Sequence, residues 1–387
     1  TQRHHPYQFG IDGQVYVGFG HHNTEIFNEW YRYDPAGESW MEMTTLPDQG
    51  RVAGAQFAHD GMGYALSGDG EGHTSMPTGE FWQFDPLNDS WMQWPSHPGM
   101  SRWAPSSFVI NNEVYLINGM SMDPGTFDYM DTNWKLAMTP AISHDAGISE
   151  YLGETVICDA EPLNVAASLT NWGSDELTSV QLELVVDGSV VLEQTWEGSL
   201  ASYQSAIVEM GTYSFEAATT VNVQIATPDL NPLNDAISAS ITSSPEGTTQ
   251  WLITLNTDNW GDETSWEIRD EGGSLVQQSG PNAYDNQTEY EIGVTLPNTG
   301  CFTFTLMDDY GDGMNGSQFN GVDGSCSIQA LDGAEEPIAV IFDYDGSFPF
   351  FELDHQVNVN ATVGLNSVEW DEQAIAFPNP FSDVLFF

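Results

Sequence analysis

Positive charge is the scarcest property of this sequence. Its 387 residues include six Lys and Arg against 57 Asp and Glu, so the formal net charge is −51 at pH 7. Such a chain repels phosphate backbones and anionic lipid surfaces, and it has few cations with which to neutralise a nucleic acid. The composition therefore excludes nucleic-acid binding. It is compatible with divalent cations, salty water and basic partners, or with a surface that is acidic for solubility alone.

Long apolar runs are also missing. No stretch approaches the roughly 18 apolar residues of a membrane-spanning helix, so we expect no transmembrane segment. Thr1-Gln2-Arg3 lacks the charged start and apolar stretch of a signal peptide, which indicates that a signal was removed or that the start lies upstream. Hydrophobic residues still make up 40% of the chain, and its length allows two to four folded domains.

Cysteine is scarce as well. Cys158, Cys301 and Cys326 are too few for a disulfide framework. Cys301 and Cys326 fall in one predicted β domain, so they are the candidate disulfide. The sequence leaves open whether this bridge forms.

Signatures of common catalysts are absent from the sequence. It contains no Gly-x-Ser-x-Gly elbow, Cys-x-x-Cys pair, phosphate loop or His-Glu-x-x-His motif. Its nine histidines include His4-His5 and His21-His22, which we expect to satisfy neighbouring polar groups rather than to bind a metal. Because 57 acidic residues produce carboxylate pairs by chance, such pairs do not indicate a glycosidase. We assign no catalytic residue.

A repeat of about 50 residues occupies the amino-terminal third, the period expected of propeller blades. Arg3, Arg51 and Arg102 open three units, and "VYVGFG", "GYALSGDG" and "VYLINGM" stand at matching places. "YRYDPAGESW" is echoed by "FWQFDPLNDSW", while "DYMDTNW" is a shorter third echo. The glycines suit tight bends, and Trp40 and Trp91 are predicted to pack between sheets.

These units resemble kelch repeats, through the glycine pair, the Tyr/Phe-Asp-Pro turn and the Trp that follows it. The resemblance implies kelch-type β-propeller blades over residues 1–142. Closed kelch rings have five to seven blades, and an open ring exposes sheet edges. We therefore expect further blades upstream or from a second copy. Some kelch propellers are enzymes, including copper-radical oxidases and sialic-acid mutarotases, so a secreted enzyme acting on carbohydrate is the alternative function.

Residues 143–243 have the short strands and close turns of a β-sandwich. Apolar residues alternate from Val180 to Val186, and Asp187-Gly188 then predicts a hairpin turn. "DAGISEY", "LTNWGSDELTSVQLEL" and "PDLNPLNDAIS" resemble adhesion-type immunoglobulin-like modules of secreted bacterial proteins. That resemblance implies a spacer or binding module.

Residues 244–250 are predicted to be a linker, and residues 251–355 a module with acidic Asp/Gly loops. "WLITLNTDNWGDETSWEIRD" and "CFTFTLMDDYGDGMNG" resemble a jelly-roll-like module of secreted bacterial proteins. The predicted fold class is thus all-β: about three kelch blades in an incomplete ring, then an immunoglobulin-like and a jelly-roll-like β-sandwich.

The acidic loops of this last module are the candidate metal site. They place hard oxygen ligands on a glycine-rich backbone that can curl around a cation, which suits Ca²⁺ better than the stricter Mg²⁺. We expect such an ion to be structural; the alternative is an ordinary Asp-Gly turn, since the spacing is not that of an EF-hand. The candidate ligands are Asp308, Asp309, Asp312 and Asn315 in one loop, and Asp258 and Asp262 in a second loop that also contains Asn259 and Glu263.

The chain ends in "AFPNPFSDVLFF". Within residues 375–387, Pro378, Asn379, Pro380 and Phe381 resemble the opening turn of the type-A C-terminal sorting domain of the Bacteroidota type IX secretion system. Residues 356–374 are the predicted linker to it. The resemblance implies export by the type IX secretion machinery, followed by release or by anchoring at the outer-membrane surface.

The predicted function is non-catalytic. We expect a secreted or cell-surface protein that adheres to glycans or surface proteins, or that builds an extracellular structure, including by self-assembly. Fold resemblance alone names no ligand, because propellers and sandwiches carry many functions.

Overall fold

Strands joined by turns and loops make up most of the described part of the chain, which comprises residues 2–22, 25–123, 126–158, 162–280 and 282–360 of a computed structural model. The regular helices described are two short 3₁₀ turns, Glu71–His73 and Gly316–Phe319. No helix within these residues is long and apolar enough to cross a membrane. The predicted all-β fold class is confirmed. The sorting motif at residues 378–381 lies outside the described residues.

The first two repeat units each form a four-stranded antiparallel sheet of the kind that makes a propeller blade. Their sheet orders are β1-β2-β5-β6 and β10-β9-β8-β7. The strands of the first sheet are β1 (Tyr7–Ile11), β2 (Gln14–Gly18), β5 (Trp30–Asp34) and β6 (Ser39–Met43), and β3 (His21–His22) and β4 (Glu25–Ile26) form a separate pair. The strands of the second sheet are β7 (Ala55–His59), β8 (Met62–Leu66), β9 (Gly79–Asp85) and β10 (Ser90–His97).

The third unit is smaller. A three-stranded sheet, β11-β12-β15, is accompanied by a separate β13-β14 hairpin. The strands are β11 (Ser106–Ile110), β12 (Glu113–Ile117), β13 (Met120–Asp123), β14 (Thr126–Tyr129) and β15 (Trp134–Ala137). The weaker third echo in the sequence therefore corresponds to a reduced sheet.

Two of the three repeated arginines, Arg3 and Arg102, donate to carbonyl groups at equivalent places. Arg3 donates to Phe19 O at 2.9 Å, and Arg102 donates to Asn118 O at 3.0 Å. The accepting residues have left-handed backbones, with φ of 54° and 57°, and each precedes a glycine of positive φ. In the first and third units the guanidinium thus satisfies a carbonyl at the sharp bend after the second strand. Arg51 of the second unit is fully buried and instead pairs with Glu80, with Nη2 and Oε2 2.8 Å apart.

The two repeat tryptophans differ in burial. Trp91 packs on Trp30 and Phe84, with ring centroids 5.3 and 4.9 Å apart, between the first two sheets. Trp40 is 60% exposed and contacts Tyr33 of its own sheet. The expectation of inter-sheet packing is confirmed for Trp91 and wrong for Trp40. Both lie on the outermost strand of their sheet, but Trp91 contacts Trp30 of the neighbouring sheet, whereas the ring contact of Trp40 is within its own sheet.

The first sandwich contains two sheets, β16-β18-β21 and β17-β23-β22-β19-β20. The predicted hairpin is confirmed, because β19 and β20 pair around Asp187 and Gly188, which both have positive φ. The strands are β16 (Ala146–Tyr151), β17 (Val156–Ile157), β18 (Leu163–Asn171), β19 (Leu177–Val186), β20 (Ser189–Leu200), β21 (Ser205–Tyr213), β22 (Thr219–Ile225) and β23 (Ala236–Ser243).

The second sandwich also has two sheets, β24-β32-β29-β26-β27 and β28-β25-β30-β31. Its strands are β24 (Glu246–Gly247), β25 (Gln250–Asn256), β26 (Thr264–Asp270), β27 (Leu275–Gln278), β28 (Glu289–Thr295), β29 (Gly300–Asp308), β30 (Ser325–Leu331), β31 (Pro337–Tyr344) and β32 (Glu352–Val359). Both segments predicted to be linkers contain part of a strand. β24 lies within residues 244–250, and β32 extends past residue 355, where it pairs with β24.

The disulfide joins the two sandwiches rather than two strands of one. Cys158 is bonded to Cys301, with Cα atoms 5.7 Å apart, and the predicted Cys301–Cys326 bridge is wrong. Cys301 and Cys326 belong to different sheets of the second sandwich, and Cys326 is a fully buried free thiol in its core. Burial raises the pKa of the Cys326 thiol to about 12.

Candidate metal centre

Antiparallel pairing brings the two acidic loops of the second sandwich together. Thr264 of β26 lies opposite Asp308 of β29, at the end of the sheet where one strand begins and the other stops. Glu263 immediately precedes β26, and its carbonyl accepts a hydrogen bond from the Asp309 backbone N–H at 3.0 Å. Residues far apart in sequence therefore meet at one edge.

Three carboxylates converge at this edge and form what we call the carboxylate cluster: Glu263, Asp308 and Asp312. One oxygen from each lies within 4.8 Å of the others. Among the described residues, this is the one group of three or more His, Cys, Asp or Glu side chains that converges in this way. Asp308 and Asp312 are 4% and 1% exposed, and Glu263 is half-buried. The neighbouring Asp258 is 2% exposed.

Burial and mutual repulsion make the charged form of these acids unfavourable. The pKa of Asp308 is raised to about 8, first by burial and then by the charges of Asp312, Glu263 and Asp258. The same causes raise the pKa of Glu263 to about 7 and that of Asp312 to about 6. Burial also raises the pKa of Asp258. A bound cation would reverse this penalty, because it favours the ionised carboxylates.

Some of the polar atoms at this edge are held in place, and others lack a partner. Asp308 Oδ1 accepts from the Gly311 N–H, and Asp258 Oδ1 accepts from the Trp260 N–H at 2.8 Å. Asp312 Oδ1 is buried without a hydrogen-bond partner in the structure. Buried polar atoms are rarely left unsatisfied, so this oxygen is open to a hydrogen-bond donor or a cation.

The loop that carries Asp312 is packed rather than free. Gly311 and Gly313 have φ of 90° and 64°, and a Cβ on either would overlap Phe351 or Tyr344. Tyr344 Oη accepts from the Met314 N–H at 3.2 Å, and the Met314 side chain is fully buried in the core. The core therefore fixes the curl of this acidic loop.

The six candidate ligands differ in burial. Asp308, Asp312 and Asp258 are buried at the cluster, whereas Asp309 and Asp262 are exposed. Asn315 is half-buried, and its Oδ1 accepts from Ser317 Oγ at 3.4 Å. In the second loop, Glu263 rather than Asp262 reaches the cluster, and the signal for it is its position directly before β26.

The histidines of the blades form a separate aromatic group. The His5 and His21 rings are stacked at 5.6 Å, the His21 and His73 rings are 4.5 Å apart, and Trp103 contacts His5. Burial, together with the neighbouring His21 and His4, lowers the pKa of His5. Stacking of this kind accords with the structural role expected of these side chains.

The fold and the cluster define a class of protein: propeller-type blades followed by two β-sandwiches, of which the second has an acidic edge. No protein-family model matches the chain. A segment of 63 residues is 33% identical to an N-acetylneuraminate epimerase of Shigella sonnei (strain Ss046), and covers 15% of this chain and 17% of that protein. The solved structure of YjhT is 14% identical over 62% of this chain and 80% of that one, with a TM-score of 0.29.

Proposed function

We propose that this chain is a secreted or cell-surface protein that binds glycans or surface proteins, or builds an extracellular structure, without catalysis. Its second sandwich would be stabilised by Ca²⁺ bound at the carboxylate cluster. The observation that carries the proposal is the cluster itself, in which buried carboxylates converge around the unpartnered Asp312 Oδ1.

The chemistry of the cluster favours calcium. Carboxylate oxygens from two loops supply hard ligands in irregular geometry, which Ca²⁺ accepts and Mg²⁺ does not. Calcium sites of extracellular modules work at millimolar concentrations of the ion. A module that depends on such a site is stable where calcium is abundant, outside the cell.

The disulfide and the carboxy-terminal motif support the same location. Cys158–Cys301 links the two sandwiches covalently, and disulfides of this kind persist in oxidising compartments. The resemblance of residues 378–381 to a type IX sorting motif supports export by that route. Neither feature depends on the metal site.

Calcium titration of the intact chain tests the structural part of the proposal. After removal of bound metal, we expect heat on addition of Ca²⁺ and a higher Tm, with a much smaller effect from Mg²⁺ at the same concentration. Absence of both heat and thermal shift with Ca²⁺ would refute the metal site.

Cell fractionation tests the location. In the source cells the protein should be found in the medium or at the cell surface, and disabling the type IX machinery should retain it in the periplasm. A cytoplasmic pool under both conditions would contradict the proposal.

A further inference from the structure

A cleft of about 1050 Å³ separates the second blade from the first sandwich. One wall is β10, the edge strand of its sheet, with the Pro98-Gly99 turn that follows it. The other wall is the outer face of the β16-β18-β21 sheet. Tyr203, which precedes β21, connects the sandwich to the blades: its ring lies 4.7 Å from that of Trp94 on β10, and its Oη donates to Ala137 O of the third unit at 2.7 Å.

A row of hydroxyl groups lines the sandwich wall. Ser149 Oγ lies 3.3 Å from Thr170 Oγ1, which lies 2.8 Å from Ser205 Oγ. Thr170 is buried, and Ser149 and Ser205 are exposed on either side of it. The pairing register of β16 shifts around Ser149, a bulge of the kind that re-aims a side chain. Because hydroxyls both donate and accept, this row suits a ligand that is itself rich in hydroxyl groups.

The cleft carries little charge. None of the described residues that line it is Lys or Arg, and Glu150 is its one carboxylate. His97 is neutral at pH 7, since burial lowers its pKa to about 4. Its Nδ1 lies 3.0 Å from Pro98 O, and its Nε2 lies 3.0 Å from Ser67 Oγ. An anionic ligand would find no cation here and would be repelled by the acidic protein.

Apolar surface completes the cleft. Trp91 and Trp172 are half-buried lining residues, and Ile207 and Leu152 are 63% and 39% exposed. Indole rings and aliphatic side chains beside hydroxyl groups match the alternation of C–H faces and hydroxyl edges on a sugar ring.

An extended peptide fits less well. A peptide would have to add to the free edge of β10, which needs a regular row of N–H and C=O groups. The register of β10 shifts between Trp94 and His97, and Pro95 and Pro98 have no N–H to donate. The end of this edge from Pro95 to Pro98 is therefore blocked for strand addition, and only the short stretch from Ser90 to Trp94 keeps a regular register.

We propose that the cleft between β10 and the β16-β18-β21 sheet binds a neutral oligosaccharide. The proposal rests on the glycan-binding form of the proposed function and names its site and ligand class. The sugar hydroxyls would bond to Ser149 and Ser205, and a ring face would lie on Trp172 or Ile207.

Binding of defined sugars to the intact chain tests the site. The probes are hexamers of β-1,4-glucose, β-1,4-xylose, β-1,4-mannose and α-1,4-glucose, measured by calorimetry. Ser149→Trp fills the cleft from an exposed position, and Ile207→Ser removes an exposed apolar side chain. Ser179→Trp, on the outer face of the other sheet, is the matched control.

We expect at least one hexamer to bind, Ser149→Trp to weaken it by about tenfold or more, and Ile207→Ser to weaken it by a smaller factor. The control should bind as the wild type does. Binding of none of the hexamers, or equal binding by wild type and Ser149→Trp, would overturn the proposal. If the variant is still retained on whole cells like the wild type, the binding function stands and uses another surface. If neither the wild type nor any variant is retained on whole cells, that result would instead count against the binding function.

Discussion

Thr264 and Asp308 are directly opposed in the β26–β29 pair, and this register places the Glu263 and Asp308 carboxylates at the same edge. A shift of one residue along either strand would move one of these acids to the other face of the sheet. The hydrophobic residues that fix the register, such as Trp266 and Phe304, therefore also determine where the acidic site forms.

We predict that Asp312→Asn weakens calcium binding while Asp309→Asn leaves it nearly unchanged. Asp312 is buried in the carboxylate cluster, whereas Asp309 is exposed beside it. Removing one charged ligand should raise the Kd by about tenfold or more, equivalent to ~1.4 kcal/mol. Calorimetry on both variants measures this. An equal loss for the two variants would indicate diffuse surface binding instead.

The stability of calcium-free protein is predicted to depend on pH through the cluster. Asp308 and Glu263 have folded pKa values of about 8 and about 7, well above the usual range of Asp and Glu in an unfolded chain. Between pH 4 and 8, roughly, the folded state binds more protons, so its free energy of unfolding should fall as pH rises. The stabilising effect of Ca²⁺ should grow over the same range, because Ca²⁺ competes with protons.

Urea unfolding at several pH values, with and without Ca²⁺, measures both trends. Asp308→Asn is the control, since the rest of the acidic surface is common to both proteins. Identical pH dependence of the variant and the wild type would show that the cluster contributes nothing.

The structure also predicts the disulfide map. Peptide mapping without reduction should recover Cys158 linked to Cys301. Cys326 should react with thiol reagents only after the protein is unfolded, because it is buried. Because the bridge spans a sequence separation of 143 residues, Cys158→Ser should lower the free energy of unfolding by about 2–5 kcal/mol. Recovery of a Cys301–Cys326 peptide would contradict the structure.

Replacing a buried arginine of the repeats should lower the free energy of unfolding more than replacing a surface arginine. Arg102 donates to Asn118 O and to both oxygens of Thr132, at 2.7–3.0 Å. Arg102→Met should cost about 3 kcal/mol, because buried carbonyls lose charged donors. Arg32→Met, whose guanidinium reaches the Met41 sulfur on the surface, should cost under about 0.5 kcal/mol. Comparable losses would show that the repeat arginine is not structural.

Local sequence patterns predict the structure correctly where it is determined by residues that are close together in the chain. Asp187-Gly188 predicts its hairpin because both residues adopt positive φ readily, and the repeat period predicts the first sheets. Trp40 was misjudged because its burial depends on what lies beyond the outermost strand of its sheet. That information is absent from a local pattern.

The candidate site shows the same division. Composition indicates an acidic loop around Asp308 and Asp312. It does not indicate which of the adjacent acids Asp262 and Glu263 reaches the cluster, because that depends on the β26–β29 register. The partner of Cys301 depends on how the two sandwiches are placed, so the argument from membership of one predicted domain selected the wrong cysteine. Contacts between modules are not encoded in any single stretch.

The Cys158–Cys301 bridge makes the chain between these residues a covalent ring that contains most of the first sandwich and the start of the second. A protease that cuts once inside this ring leaves both fragments attached. A cut in a described loop between the two cysteines, such as the one between β18 and β19, would thus leave the amino-terminal blades attached to the rest of the chain.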